Sequence, residues 1–128
     1  MAIQPQFVTT PNVGIGAIAT ANANRDGTGT IGTIWSAGSN GGRIDYVFIK
    51  ATVTTTAGTV RLYVHEGSTY TLIAEVLVSA ITASATVAAW TGVWTPPGGY
   101  LVLETGQSLR ASTEKAENFN LVAVGGDF

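Results

Sequence analysis

Apolar and polar residues alternate along several short segments of the chain, with the period of two that marks a β-strand. The clearest segment is 60–66. Its positions 60, 62 and 64 are valine or leucine, and the positions between them are Arg61, Tyr63 and His65. This pattern predicts a strand with one face on a hydrophobic core. Segment 43–53 differs because both of its faces carry apolar residues, which predicts a central strand covered on both sides.

Turn-forming residues separate nine segments of this kind. The Asp-Gly pair at 26–27 favours the positive φ of tight turns, and the Pro-Pro-Gly-Gly run at 96–99 ends the strand before it. The alanine-rich stretch 79–89 could be helical, but its isoleucine, valine and threonine content favours loop and strand. Strands spaced by roughly 8–14 residues predict an all-β sandwich or barrel. The predicted strands are residues 13–21, 30–36, 43–53, 60–66, 70–78, 85–94, 100–104, 108–113 and 119–124.

The chain is expected to divide into an extended N-terminal arm, residues 1–12, and a single folded domain, residues 13–128. The arm contains two prolines and no sustained periodicity. A chain of 128 residues has the common size for one hydrophobic core. Ile3, Phe7 and Val8 are the candidate anchors of the arm, which either folds back over its own sheet or docks onto a neighbour.

Few side chains can carry charge or ligate a metal. Only 11% of the residues are charged, against roughly 25% in typical soluble domains. The chain has no cysteine and a formal net charge of -2, and its six basic residues are scattered, which argues against nucleic-acid binding. The apolar stretch 13–23 is too short to span a bilayer. We therefore predict no nucleic-acid partner, no membrane partner and no cofactor.

The sequence contains few of the residues and motifs that a catalytic site needs. His65 is the single histidine and cannot build a metal site of the cupin type. The glycine-rich run 38–42 lacks the Gly-Lys-Ser/Thr ending of a phosphate loop. Glu75 interrupts an apolar strand and is expected to face solvent or to pair with an arginine on a neighbouring strand. We predict that the protein is not an enzyme and has no catalytic or metal-binding residues.

The aromatic residues suit a core, a protein interface or a sugar-binding platform. Trp90 or Trp94 is expected to fill the core. The histidine lies on the polar face of its predicted strand, where such a residue is most often a surface or interface residue. The candidate interface residues are Ile3, Phe7, Val8, Trp35, Tyr63 and His65.

Three groups of residues resemble small virion proteins that tailed bacteriophages encode near the major capsid gene. The likeness spans most of the chain beyond the arm and contains no catalytic signature. The first group is NRDGTG at 24–29; the second is RID at 43–45, KAT at 50–52, TTTAG at 54–58 and VRL at 60–62; the third is LRASTEKAE at 109–117, FN at 119–120 and GGDF at 125–128.

The resemblance implies a capsid decoration or cement protein with a sandwich of jelly-roll type. We therefore expect an antiparallel β-sandwich of about eight strands that bridges neighbouring major capsid protein subunits on the outer surface of the virion. A homo-oligomer is expected, with a trimer favoured. The alternative is a head appendage or carbohydrate-binding β-sandwich module that contacts the host surface.

Overall fold

The fold consists of strands and their connections. The structure is a computed structural model in which residues 7–128 are described, so the predicted anchor Ile3 lies outside the described residues. Nine strands and no helix occur in this part of the chain. The strands are β1 (Thr10–Ile18), β2 (Gly32–Ser36), β3 (Gly42–Ala51), β4 (Gly58–Glu66), β5 (Thr69–Val78), β6 (Thr91–Trp94), β7 (Leu101–Leu103), β8 (Gln107–Thr113) and β9 (Phe119–Asp127).

The strands form two antiparallel sheets that pack face to face. Sheet A has the order β1-β9-β3-β6, with β7 also paired to β3, and sheet B has the order β2-β8-β4-β5. The predicted all-β antiparallel sandwich is therefore confirmed. The jelly-roll arrangement within that class stays a prediction. β3 lies between β9 on one side and β6 and β7 on the other, so its predicted central position is confirmed. The prediction that both of its faces are covered is wrong, because Tyr46 and Phe48 on its outer face are exposed and no segment of the described chain covers them.

Most strand boundaries differ from the sequence predictions by one or two residues, and the differences are larger at β1, β6 and β9. β1 begins at Thr10 rather than Val13, and its first residues pair with the end of β9. Only Thr91–Trp94 of the predicted strand 85–94 is a strand. Upstream of it, the hydroxyl of Ser84 accepts hydrogen bonds from the backbone amides of Thr86 and Val87. Such local side-chain bonds compete with strand pairing, which explains the shorter strand.

The hydrophobic core lies between the two sheets. Trp90 is almost fully buried there, as expected, and its ring meets Phe119 edge to face with the centroids 5.9 Å apart. Trp94 packs against the core from a partly buried position. The core is filled by branched aliphatic and aromatic side chains that both sheets contribute. Its fully buried members include Ile44, Val47, Ile49, Val60, Leu62, Leu109, Phe119, Leu121 and Ala123.

The residues of β1 that point toward the core include two glycines, Gly14 and Gly16. Gly14 and Gly16 approach β2 so closely that a Cβ atom on Gly14 would collide with the backbone carbonyl of Ile34, and one on Gly16 would lie 2.7 Å from the Cδ1 atom of Ile34. The larger residues of β1, Val13 and Ile15, therefore point away from the core and are exposed. This orientation is the reverse of the usual pattern for a sandwich strand.

Replacing Gly14 with alanine is expected to destabilise the fold by about 1–3 kcal/mol, because the added methyl group meets backbone that cannot move aside. Chemical denaturation measures the change. Gly32→Ala is the matched control, since a Cβ there would lie 3.3 Å from a terminal methyl group of Ile18 and only 3.7 Å from backbone. Equal stability of Gly14→Ala and the wild type would contradict the close approach of the two strands.

Candidate protein-contact surface

An apolar row crosses the outer face of sheet A. Ile15 of β1 pairs with Val122 of β9, which pairs with Phe48 of β3, which in turn pairs with Val93 of β6. All four positions point away from sheet B, because the alternate residues of the same strands form the core. The row therefore presents four hydrophobic side chains to the outside across the full width of the sheet.

A second apolar row runs beside the first. It consists of Val13, Val124 and Tyr46, which are cross-strand neighbours on β1, β9 and β3. The Tyr46 ring stacks on Phe48 of the first row, with centroids 6.2 Å apart and an interplanar angle of 25°. Beyond this row, Tyr100 and Val102 continue the surface at the β7 end.

We call this surface the apolar face of sheet A. Ile15 is 74% exposed, Val93 60% and Val13 52%, although each is a large aliphatic residue. Strand spacing and rise give it a footprint on the order of 400 Å², within the range of the largest patches on soluble monomers, which are often functional. Its members are Val13, Ile15, Tyr46, Phe48, Val93, Tyr100, Val102, Val122 and Val124.

The charged groups beside this face are already engaged within the chain. Arg43 and Asp45 form an ion pair with 3.2 Å between Nε and Oδ1, and the guanidinium of Arg43 lies 5.6 Å from the centre of the Tyr100 ring. Lys50 donates from Nζ to the carbonyl oxygen of Ala89 at 2.6 Å and to the hydroxyl of Thr91 at 3.1 Å. The centre of the face is therefore uncharged and inexpensive to desolvate.

The outer face of sheet B is built differently, because part of the chain covers it. Residues 19–31, here called the strap, connect β1 to β2 and run over β4 and β5. Arg61 donates from Nη1 to the carbonyl oxygen of Asn22 at 3.3 Å, and the hydroxyl of Tyr63 donates to that of Asn24 at 2.9 Å. The amide of Asn22 also donates to two carbonyl oxygens inside the strap, those of Thr28 and Thr30. Sheet B therefore carries its own cover, whereas the apolar face of sheet A has none in the described chain.

An ion-pair network fastens the strap. Oε2 of Glu75 accepts hydrogen bonds from Nε of Arg25 at 2.7 Å and from Nε of Arg61 at 2.9 Å. Arg61 is buried and lies directly opposite Glu75 on the neighbouring strand, so the expected pairing is present. The hydrogen bond from Arg25, followed by that from Arg61, lowers the pKa of Glu75 below its ordinary value.

Two of the predicted interface residues belong to the interior. Trp35 is 1% exposed, and its indole Nε1 donates to the carbonyl oxygen of Asn12 at 2.9 Å. Tyr63 is fully buried beneath the strap. The prediction that these two side chains contact a partner is therefore wrong for the folded chain. Alternation alone placed Tyr63 on an outer face, and it could not show that another segment covers that face.

The other predicted interface residues in the described part of the chain, Phe7, Val8 and His65, are at least partly accessible but lie apart. Phe7 is 72% exposed, and Val8 packs on Gly126 at the end of β9. His65 lies on the outer face of sheet B, where its ring centroid is 4.4 Å from that of Tyr70. The sequence interpretation missed the apolar face of sheet A. Its signal was the alternation of valine and isoleucine with glycine at 13–16, which places the small residues on the core side.

Residues 7–128 contain no helix that is long and apolar enough to cross a membrane. Within the same residues, no group of three or more histidine, cysteine, aspartate or glutamate side chains is arranged to hold a metal ion. Comparison of the chain with protein-family models and with curated proteins finds no match.

Replacing Glu75 with glutamine is expected to lower the melting temperature at neutral pH, because Arg61 is then buried without a carboxylate. Since folding lowers the pKa of Glu75 from 4.5, its stabilisation is present above pH 4.5 and is lost as the pH falls through the lowered pKa. Thermal denaturation across this pH range should show the wild type and Glu75→Gln converging in acid. Glu104→Gln, which removes an exposed carboxylate, should follow the wild type throughout. A gap that persists at the acid end would contradict the assignment.

Proposed function

We propose that this protein decorates the capsid of a tailed bacteriophage and stabilises it by bridging neighbouring major capsid protein subunits. The observation that supports this proposal most strongly is the exposed apolar face of sheet A. A sandwich normally directs the large residues of its strands inward, but β1 directs Val13 and Ile15 outward. Such a face is expected to be covered in the assembled state, and the major capsid protein is the partner that the sequence resemblance implies.

The size of the face indicates a contact that is repeated rather than single. Burying an apolar area on the order of 400 Å² contributes roughly 10 kcal/mol before costs, whereas association costs an estimated 4–15 kcal/mol or so. A lone contact of this size is therefore marginal. It can form the apolar centre of a standard interface of about 800 Å² per partner, with a polar rim around it.

Oligomerisation would overcome this marginal affinity. We propose a homo-oligomer, with a trimer favoured, because linked copies present several faces to the same shell and bind through effective concentration. The low charged fraction of 11% and the net charge of -2 suit a position on the outer surface, away from packaged DNA. Within this proposal the sandwich has the jelly-roll connection that the resemblance implies.

The alternative function, a carbohydrate-binding head appendage, needs exposed aromatic rings with polar side chains around them. Trp35 and Trp90 are buried, and Trp94 packs against the core. The stacked rings of Tyr46 and Phe48 have Val124 and Val122 as their neighbours on the adjoining strand β9. This composition favours a protein contact over a sugar platform.

Co-sedimentation with shells assembled from the major capsid protein of the same phage tests the proposal. The wild-type protein should sediment with the shells and raise the temperature at which they rupture. Ile15→Lys should weaken binding at least tenfold, because it places a charge in the middle of the apolar contact.

Leu77→Lys is the matched control. Leu77 is 78% exposed, close to the exposure of Ile15, but it lies on β5 in the other sheet. Its replacement should leave binding unchanged. Absence of wild-type binding would contradict the proposed function, and equal losses in the two variants would contradict the assignment of the face.

A further inference from the structure

A cluster of hydrogen-bond donors occupies the outer face of sheet B beside the strap. Tyr70 of β5, His65 of β4 and Ser108 of β8 lie side by side across three strands. Arg110 lies two residues further along β8 on the same face, opposite Tyr63. These four side chains come from three strands of a rigid sheet, so the sheet fixes their spacing.

The guanidinium of Arg110 is held in place by neutral groups. Its Nε donates to the hydroxyl oxygen of Ser108 at 3.1 Å, and Nη1 donates to the hydroxyl oxygen of Tyr70 at 3.4 Å. Its Cζ atom lies 5.8 Å from the centre of the Tyr70 ring. Within residues 7–128 no carboxylate lies within ion-pair distance of Arg110, whereas Arg25, Arg43 and Arg61 each contact one.

The cluster therefore has a surplus of donors. A guanidinium has five N–H groups, and those of Arg110 that do not donate to Ser108 or Tyr70 have no hydrogen-bond acceptor among residues 7–128. The two hydroxyl oxygens accept these bonds, so their own protons remain available to donate elsewhere. Neither ring nitrogen of His65 has a hydrogen-bond partner among the described residues. Several donors thus surround one positive charge, and the described chain places no carboxylate beside them.

We propose that this cluster binds a carboxylate group carried by an acidic segment of a partner protein. A guanidinium presents parallel N–H groups that match the two oxygens of a carboxylate, and the adjacent hydroxyls add further donors. A sugar acid is disfavoured because the ring of Tyr70 already contacts His65, Arg110 and Tyr63, and so offers no free platform for a sugar ring. The site lies on the sheet opposite the apolar face, and it stands independently of the proposed function.

Amide chemical shifts of the whole protein, followed during titration with a tetraglutamate peptide at low salt, test the proposal. The largest changes in chemical shift should occur in the β8 segment around Ser108 and Arg110 and in the facing residues of β4 and β5. A tetraglutamine peptide should cause none of them, and added salt should weaken the effect. If the peptide causes no changes in chemical shift, or causes them in another part of the protein, the proposal is overturned.

Three variants sharpen the test. Arg110→Gln should weaken binding at least tenfold, and Tyr70→Phe, which removes only a hydroxyl group, should weaken it a few-fold. Lys115→Gln, which removes an exposed cation outside the cluster, should leave binding unchanged. Equal affinity of Arg110→Gln and the wild type would contradict the site.

Two further probes distinguish a protein carboxylate from the other anions that could bind to this cluster. Glucuronate carries the carboxylate on a sugar, and inorganic phosphate presents a tetrahedral anion. Both should bind more weakly than the peptide. Tighter binding of glucuronate would indicate a glycan partner, tighter binding of phosphate would indicate a phosphate site, and either result would overturn a protein carboxylate as the ligand.

Discussion

The close approach of β1 to β2 is the constraint on which the surface properties depend. Gly14 and Gly16 allow the first strand to lie against the backbone of the other sheet, where any larger residue would collide with it. Because side chains alternate along a strand, the bulky residues of β1 must then point outward. Val13 and Ile15 join the outward residues Val122, Val124, Tyr46, Phe48 and Val93 of β9, β3 and β6, and the centre of this outer face becomes apolar.

The outer faces of the two sheets differ in whether the chain itself covers them. Sheet B has polar outward residues and a strap that Glu75 fastens through Arg25 and Arg61. Sheet A has no such strap among the described residues, and its polar outward residues, such as Arg43 and Lys50, lie at the margins of the apolar face. A protein that covers one face with its own chain and leaves the other apolar is organised to bury that second face elsewhere. This asymmetry connects the fold to the proposed role at a virion surface.

The sequence predicted the strands well because strand formation here follows local alternation and turn residues. The strands β4 and β5 and the central position of β3 follow from such signals. The contacts of Trp35 and Tyr63 could not be predicted in this way, since their burial depends on Asn12 and on the strap, which are distant along the chain. The sequence could have predicted which face of β1 points to the core, because glycine at alternate positions marks the side on which two backbones approach each other.

A density map of the assembled virion would show which side of the sandwich meets the shell. We predict that density of the shell lies against the side that carries Ile15 and Phe48, so that both side chains are buried at the contact. A map in which that side faces solvent, with the shell bound through another surface, would contradict it.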